Sequence, residues 1–369
     1  GHRYTESACT SQHQSCQSEA AAPEMHVGVV GAGVSGLVLS TQLKKALGEG
    51  IRVTVLEWGR GPGGRTARRR MNLDTKENEP VEVSFDHAAP FFSAKTSTFR
   101  DGLLQDWETR GLAQPWLPRR LAAEIDEDLW VGTPSNHAIC KALASDLEDY
   151  RSNVLFGRHA RKAEFRDDHW QVSVTNRLER DTLEEYEFDA LVLSDKLLAQ
   201  PGQQYAILGS SDMSDVIPQI PEALRSSGQV ALLLAFSPPL PVNLDMVRPS
   251  SGPLSLLVRD SSKPQRGGEG GATNIETWTA RSTPDYADLH IVGEQLVDEA
   301  AVAVELRSAF FKALQLSDAV EPLAASTFAW DHAQPLEEDR LSAAFSLDAE
   351  RRLGICGDFF GANEASGVE

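Results

Sequence analysis

The sequence predicts an α/β fold in which a Rossmann-like nucleotide-binding domain is interleaved with a second, α+β substrate domain. Three observations carry this expectation. An apolar strand at 26–30 runs into Gly31-Ala32-Gly33-Val34-Ser35-Gly36, a G-x-G-x-x-G spacing at the mouth of a helix. A second apolar run, Val53-Thr54-Val55-Leu56, ends on the acid Glu57. The third is an apolar strand near the end of the chain, Leu353-Gly354-Ile355-Cys356, which leads into Gly357-Asp358. The glycine spacing alone is a weak signal, but strand, glycines, helix, second strand and acid in that order form a specific one.

Each glycine has a separate task. Gly31 permits the tight turn, Gly33 lets the backbone approach a pyrophosphate, and Gly36 lets helix and strand pack closely. The free N–H groups and dipole at the helix start then face the phosphates. Glu57, at a strand's carboxyl end, can accept hydrogen bonds from ribose hydroxyls and would repel a ribose phosphate, which disfavours NADP. Arg65, in the loop that follows, is expected to reach back to the pyrophosphate.

With 369 residues, 41% hydrophobic and 24% charged, the chain has the composition of an ordinary globular protein large enough for two or three domains. Its net charge of −19 argues against nucleic acid or an anionic membrane as a main partner. A small-molecule substrate is expected. No uncharged apolar run reaches the roughly 18 residues of a membrane-spanning helix. The four cysteines, Cys9, Cys16, Cys140 and Cys356, form no C-x-x-C pair. They indicate neither a metal site nor a disulfide framework and fit a soluble protein of the cytoplasm or an organelle matrix, a plastid included.

Residues 1–24 are polar, without periodicity, and are expected to form a disordered tail. Residues 26–30, 34–47 and 51–57 read as strand, helix and strand. Residues 81–92 read as a strand entering an aromatic turn, followed by helices near 96–110 and 135–148. Strands are expected at 154–156, 170–174 and 186–193. Pro-rich turns at 218–221 and 238–241, a strand at 230–234 and a Gly-rich loop at 264–272 follow. An amphipathic helix is expected over 296–316. The nucleotide-binding domain therefore takes 25–80, 150–200 and 345–369, and the substrate domain takes 81–149 and 201–344.

Five stretches together resemble the two-dinucleotide-binding-domain flavoproteins, and more narrowly the renalase-like FAD-dependent oxidoreductases. They are GAGVSGL (31–37), EWGRGPGGRTARRR (57–70), FDHAAPFF (85–92), ETWTARSTPDYADLH (276–290) and ICGDFFGANEASGVE (355–369). The resemblance implies FAD as cofactor. Gly31, Gly33, Ser35 and Gly36 would hold its pyrophosphate and Glu57 its adenosine ribose, with Arg60, Gly64 and Arg65 against the phosphates. Ala160 would contact adenine through its backbone, and Asp358 would bind ribitol or pyrophosphate. Ala88, Ala89 and Pro90 would run beside the flavin ring. In the family a small-residue helix with its N-terminus toward flavin N1 and O2 comes next, and the sequence reaches Glu369 ahead of it.

The resemblance further implies oxidation of dihydronicotinamide-type substrates, aberrant NAD(P)H isomers, by hydride transfer to flavin N5 with dioxygen as acceptor. No side chain is required as acid or base, because the cofactor performs the difficult step. Phe91, Phe92, Trp278, Trp330 and His332 are candidates for the substrate pocket, each weighed against a place in the core. His87 reads as a hydrogen-bonded structural imidazole before a proton carrier, and Arg281 as a surface ion pair before a phosphate ligand. Amine oxidation or desaturation on the same fold is the alternative reaction, with Lys196 and Lys263 the lysines available by type. A degenerate, non-catalytic flavin-binding module is the third reading.

Overall fold

The computed structural model describes residues 24–73, 80–120, 128–149, 152–200, 202–203, 205–208, 224–266, 274–317 and 320–361. The tail at 1–23, the turn at 218–221 and most of the Gly-rich loop lie outside them. The central layer is a six-stranded sheet in the order Ser346–Asp348, Leu353–Ile355, Ala190–Leu193, Met25–Val30, Ile51–Glu57, Asn153–Phe156. All neighbours are parallel except the first pair, which is antiparallel. Because a parallel sheet is covered on both faces, its strands read as continuous apolar runs. Val29, Val53 and Val55 are fully buried accordingly.

One face of that sheet carries the helix Val34–Leu47 and, against expectation, much of segment 81–149. Helical turns from Ser97 to Thr109 and the helix Asn136–Ser145 place Phe99, Leu104, Trp107, Ile139 and Leu143 in one apolar cluster with Val27, Leu37 and Val53. The boundary expected at residue 80 also falls inside a hairpin, Arg68–Leu73 paired with Val81–Asp86. The other face is covered by an antiparallel three-stranded sheet of Arg158–Arg166, His169–Asn176 and Thr182–Phe188. The run expected as one strand over 186–193 is therefore two strands in two sheets, parted at Asp189, whose amide donates to the His26 carbonyl at 2.8 Å.

The second domain centres on an antiparallel five-stranded sheet in the order Met246–Val247, Leu254–Arg259, Glu276–Ser282, Ser226–Phe236, Ala324–Pro335. Its outer face packs Val230, Leu232, Trp278 and Leu257 on the helix Glu299–Ala313. That helix starts later than the expected 296, because Asp298 caps it through the Ala301 amide and residues 295–296 pair as a short strand. The inner face packs Ala231 and Leu233 on Leu73 and Phe85 of the 68–86 hairpin. The hairpin thus joins the two domains beside the carboxyl ends of the parallel strands, where ligands bind in such sheets.

Candidate cofactor and substrate site

Gly31 has φ +102°, a left-handed value that favours glycine, and its amide donates to the Leu56 carbonyl at 2.9 Å. A Cβ on Gly36 would lie 2.1 Å from the Gly31 carbonyl oxygen, so only glycine lets the helix come this close. A Cβ on Gly33 would meet nothing within 4 Å; here the turn faces open space. The helix Val34–Leu47 begins with no side-chain cap and no acid in its first turn. Its first N–H groups and positive dipole end are therefore available to an anion.

Glu57 is buried, and its two oxygens accept from the amides of Ala32 and Gly59, each at 2.7 Å. Burial raises its pKa while both amides pull the other way. The carboxylate thus clamps the two loops of the mouth together, and each oxygen keeps a second lone pair for a ligand hydroxyl. The Gly63 amide donates to the Ala32 carbonyl at 2.8 Å, and a Cβ on Gly64 would come within 3.9 Å of Gly33 Cα. Gly64 and Arg65 therefore lie across from the first glycine turn.

Arg65 spans the mouth. Its Nη1 donates to Asp358 Oδ2 at 2.5 Å and to the Ala333 carbonyl at 3.0 Å. Asp358 is buried, its backbone carbonyl accepts from Arg340 Nη1 at 2.7 Å, and its Oδ1 has no partner among the described residues. Ser35, Gly357 and Asp358 line one end of a cleft of about 940 Å³ that runs along the helix. Arg60 stands exposed on the 58–63 loop. Ala160 is buried beneath the three-stranded sheet, on the strand that follows Phe156, the register partner of Glu57. Beside it sits a cluster that sequence reasoning missed: Trp58 packs edge-on against His159 at 5.0 Å and Tyr205 at 5.6 Å, with Arg177 over its ring.

The turn 87–90 is held from both sides. The Ala89 amide donates to the Arg65 carbonyl at 3.1 Å, and its own carbonyl accepts from Asn136 Nδ2 at 2.6 Å. Asp86, at the turn's start, accepts from the Asn136 amide at 3.2 Å, Lys263 Nζ at 3.1 Å and Arg266 Nη2 at 2.5 Å. Lys263 also binds Asp260, which accepts from Thr279. Burial alone would raise Asp86, and Lys263 and Arg266 outweigh it to hold the carboxyl below its ordinary range. Burial pulls His87 down to about 4, leaving a neutral ring against Phe328 at 4.8 Å and Trp330 at 5.2 Å.

Of the five expected pocket residues, three adjoin this turn or its rim. Phe91 packs on Trp116 at 5.8 Å, Trp330 lies on His87, and His332, two residues on in the same strand, lies beside Tyr205 at 6.1 Å. The other two are corrected. Phe92 points the opposite way from Phe91 and packs on Phe99 and Trp107 in the core. Trp278 is fully buried on the outer face of its sheet, against Phe310, with its Nε1 donating to Glu276 Oε1 at 2.6 Å. Strand alternation sends adjacent side chains to opposite faces, and both fall on the core side.

Near Asp358, two residues were not foreseen in their present roles. Asp195 follows the strand Ala190–Leu193 and caps the next turn through the Leu197 amide at 2.8 Å. Burial, with the Asp358 carboxylate second, pushes it up to about 6. Lys196 is fully buried, bonded to the Leu224 carbonyl and to Gln200 Oε1 at 3.1 Å, with its ammonium over the Phe359 ring. The Ser194-Asp195-Lys196 polar run directly after an apolar strand was the available signal.

Residues 29–103 match the family described as an NAD(P)-binding Rossmann-like domain. Several solved structures are similar over nearly the whole chain. A triple mutant of putrescine oxidase, redesigned in cofactor binding, is 12% identical with a TM-score of 0.57, covering 91% of this chain and 94% of that one. An oxidoreductase from Methanosarcina mazei is 12% identical with a TM-score of 0.56, covering 93% and 99%. The p-nitrophenol 4-monooxygenase of Pseudomonas putida is 17% identical with a TM-score of 0.51, covering 91% and 72%. No helix among the described residues is long and apolar enough to cross a membrane. The fold is thus a mixed α/β one, with a Rossmann-like parallel sheet of the kind these enzymes share.

Proposed function

We propose that the protein is an FAD-dependent oxidoreductase of renalase type, oxidising dihydronicotinamide-type substrates such as aberrant NAD(P)H isomers, with dioxygen as acceptor. One observation carries the reading: three stretches distant in sequence meet at one mouth. The uncapped helix start after Gly33, the Arg65 guanidinium and the unpartnered Oδ1 of Asp358 lie around it. This set suits an extended dinucleotide, with amides and Arg65 for the pyrophosphate, and Glu57 and Asp358 for hydroxyls.

Bound FAD would supply a two-electron acceptor at N5 that dioxygen can reoxidise. The chain's own part is to bind, orient and keep water away. Asn136 and Arg65 fix both sides of Ala89, and Phe328 and Trp330 offer flat apolar surface next to the turn. The neutral His87 adds no charge there. The fold shared with a putrescine oxidase and a 4-monooxygenase supports an oxidoreductase. Amine oxidation is the second reading, favoured by that first neighbour, but Lys263 is locked between Asp86 and Asp260, and Lys196 is buried over the Phe359 ring.

The test is an absorption spectrum of the purified protein with added FAD, followed by anaerobic mixing with dihydronicotinamide isomers. Rapid bleaching of the bound flavin is expected. Bleaching by amines alone would shift the assignment to amine oxidation, and a protein that stays colourless with FAD would sink both enzymatic readings.

A further inference from the structure

The inner face of the five-stranded sheet presents side chains in rows across its strands. One row is Leu256, Arg281, Ala231 and Phe328, paired in register; the next sets Gln229 opposite Trp330. Phe328 and Trp330 lie on His87, while Leu256 shares an apolar cluster with Phe91. The two ends of the 87–91 turn therefore sit over the two ends of these rows, with Arg281 between them.

Arg281 lacks what the sheet's other arginine has. On the outer side, Arg259 is paired with Glu276 at 3.2 Å and with Asp245 at 3.6 Å. Among the described residues no carboxylate pairs with Arg281, and its Nε is buried without a hydrogen-bond partner. The charged group that bears on it is a second cation, Arg248. Burial, then Arg248, pull its pKa down to about 10. Gln229 Nε2 and Trp330 Nε1 are also buried donors with no acceptor among the described residues. Burying an unpaired donor is costly, and burying an unpaired cation costs more. Three such N–H groups on adjacent rows of one face are complementary to an anion.

We propose that Arg281, with Gln229 and Trp330, forms the recognition end of the substrate pocket and binds an organic anion, a carboxylate or phosphate on a flat apolar body. The inference deepens the proposed function and rests on it only for the turn at 87–91 lining the cofactor; the anion site itself needs no flavin. Flat apolar surface comes from Phe328, Trp330 and Phe91, and the charge from Arg281. Recognition of this kind orients the substrate body toward the turn.

The experiment titrates the FAD-loaded full chain with benzoate, phenyl phosphate and neutral benzamide, reading the perturbation of flavin absorbance. One of the anions is expected to bind about tenfold or more tightly than benzamide, as a charged hydrogen bond is worth. The tighter of the two identifies the group. Arg281→Met should lose that preference with flavin content unchanged, and Arg281→Lys should keep part of it. Equal binding of all three probes, or undiminished anion binding by Arg281→Met, overturns the proposal. If Arg281→Met does not fold, the anion-to-benzamide ratio of the wild type and of Arg281→Lys decides alone. If the chain stays colourless with FAD, the flavin reading fails, and the same titration read by melting temperature still decides the anion site. A rise with an anion but not with benzamide supports it, and no rise overturns it.

Discussion

Arg65 Nη1 stands 2.5 Å from Asp358 Oδ2 although 293 residues separate them. The pair joins the loop after the second parallel strand to the end of the last one, so the mouth is closed by charge as well as by packing. Asp358 is buried and Arg65 is about one-third exposed, which makes the pair stronger than a surface bridge and weaker than a fully buried one. Asp358→Ala is expected to destabilise the fold by about 1–3 kcal/mol through the unsatisfied guanidinium. It should weaken FAD binding more than it lowers the melting temperature, because Oδ1 is lost as well. Flavin retention on gel filtration and thermal melting of the same sample check this; a stability loss with full flavin content would contradict it.

Gly33 and Gly36, three residues apart, are expected to fail in different ways. A Cβ on Gly36 meets the Gly31 carbonyl oxygen, a backbone atom that cannot swing aside, whereas a Cβ on Gly33 meets nothing. Gly36→Ala should therefore cost about 1–3 kcal/mol by overpacking and push helix from strand. Gly33→Ala should melt within about 0.5 kcal/mol of wild type, since it touches nothing, and still lose FAD affinity because its methyl occupies the phosphate approach. Equal melting losses in the two variants would contradict the assignment of separate tasks.

Parts of this site were legible in the sequence because local physics dictated them. Parallel strands buried on both faces must be apolar throughout, so residues 26–30 and 51–57 could be read directly, and the glycine spacing marks where a backbone must turn and approach. The substrate side was less legible because strand parity decides it. Phe91 and Phe92 are chemically equivalent, and only the pleat sends one to the turn and the other onto Trp107. Trp278 and Arg281, three apart, divide between the two faces in the same way, so the aromatic went to the core and the arginine to the inner face. The split at Asp189 was hidden because apolar residues flank it on both sides, in two different sheets.

Asp195 sets an expected pH dependence. Burial and the neighbouring Asp358 raise its folded-state pKa to about 6, above the ordinary carboxyl range. Between that range and pH 6 the folded state holds a proton that the unfolded chain has released. The stabilising contribution is therefore complete at low pH and is lost as pH rises through 6. Asp195→Asn removes this dependence. Relative to wild type, the variant should gain about 1 kcal/mol of stability from pH 5 to pH 7, the larger part of the wild type's loss falling below pH 5. The buried histidines, which titrate in the opposite sense, are common to both proteins and cancel in the difference. Urea melts at pH 5, 6 and 7 measure it; a difference between the two proteins that does not change with pH would contradict the prediction.

The buried quartet Asp86, Asp260, Lys263 and Arg266 joins the 87–90 turn to the five-stranded sheet, and its charges balance two against two. Lys263 is fully enclosed and is the one member that contacts both carboxylates. Lys263→Met leaves two buried carboxylates facing a single guanidinium, a loss expected to cost about 3–5 kcal/mol. Adding Asp260→Asn removes the excess negative charge, so the double variant should be more stable than Lys263→Met alone. The effects will then not add, and the cycle should show a coupling of about 1–3 kcal/mol. Because Asp86 also holds the Asn136 amide, and Asn136 holds Ala89, the single variant should blur the fine structure of the flavin spectrum while the double variant restores it. Additive melting losses, with the same spectrum in all variants, would show that the quartet is packing alone and that the turn is held by other contacts.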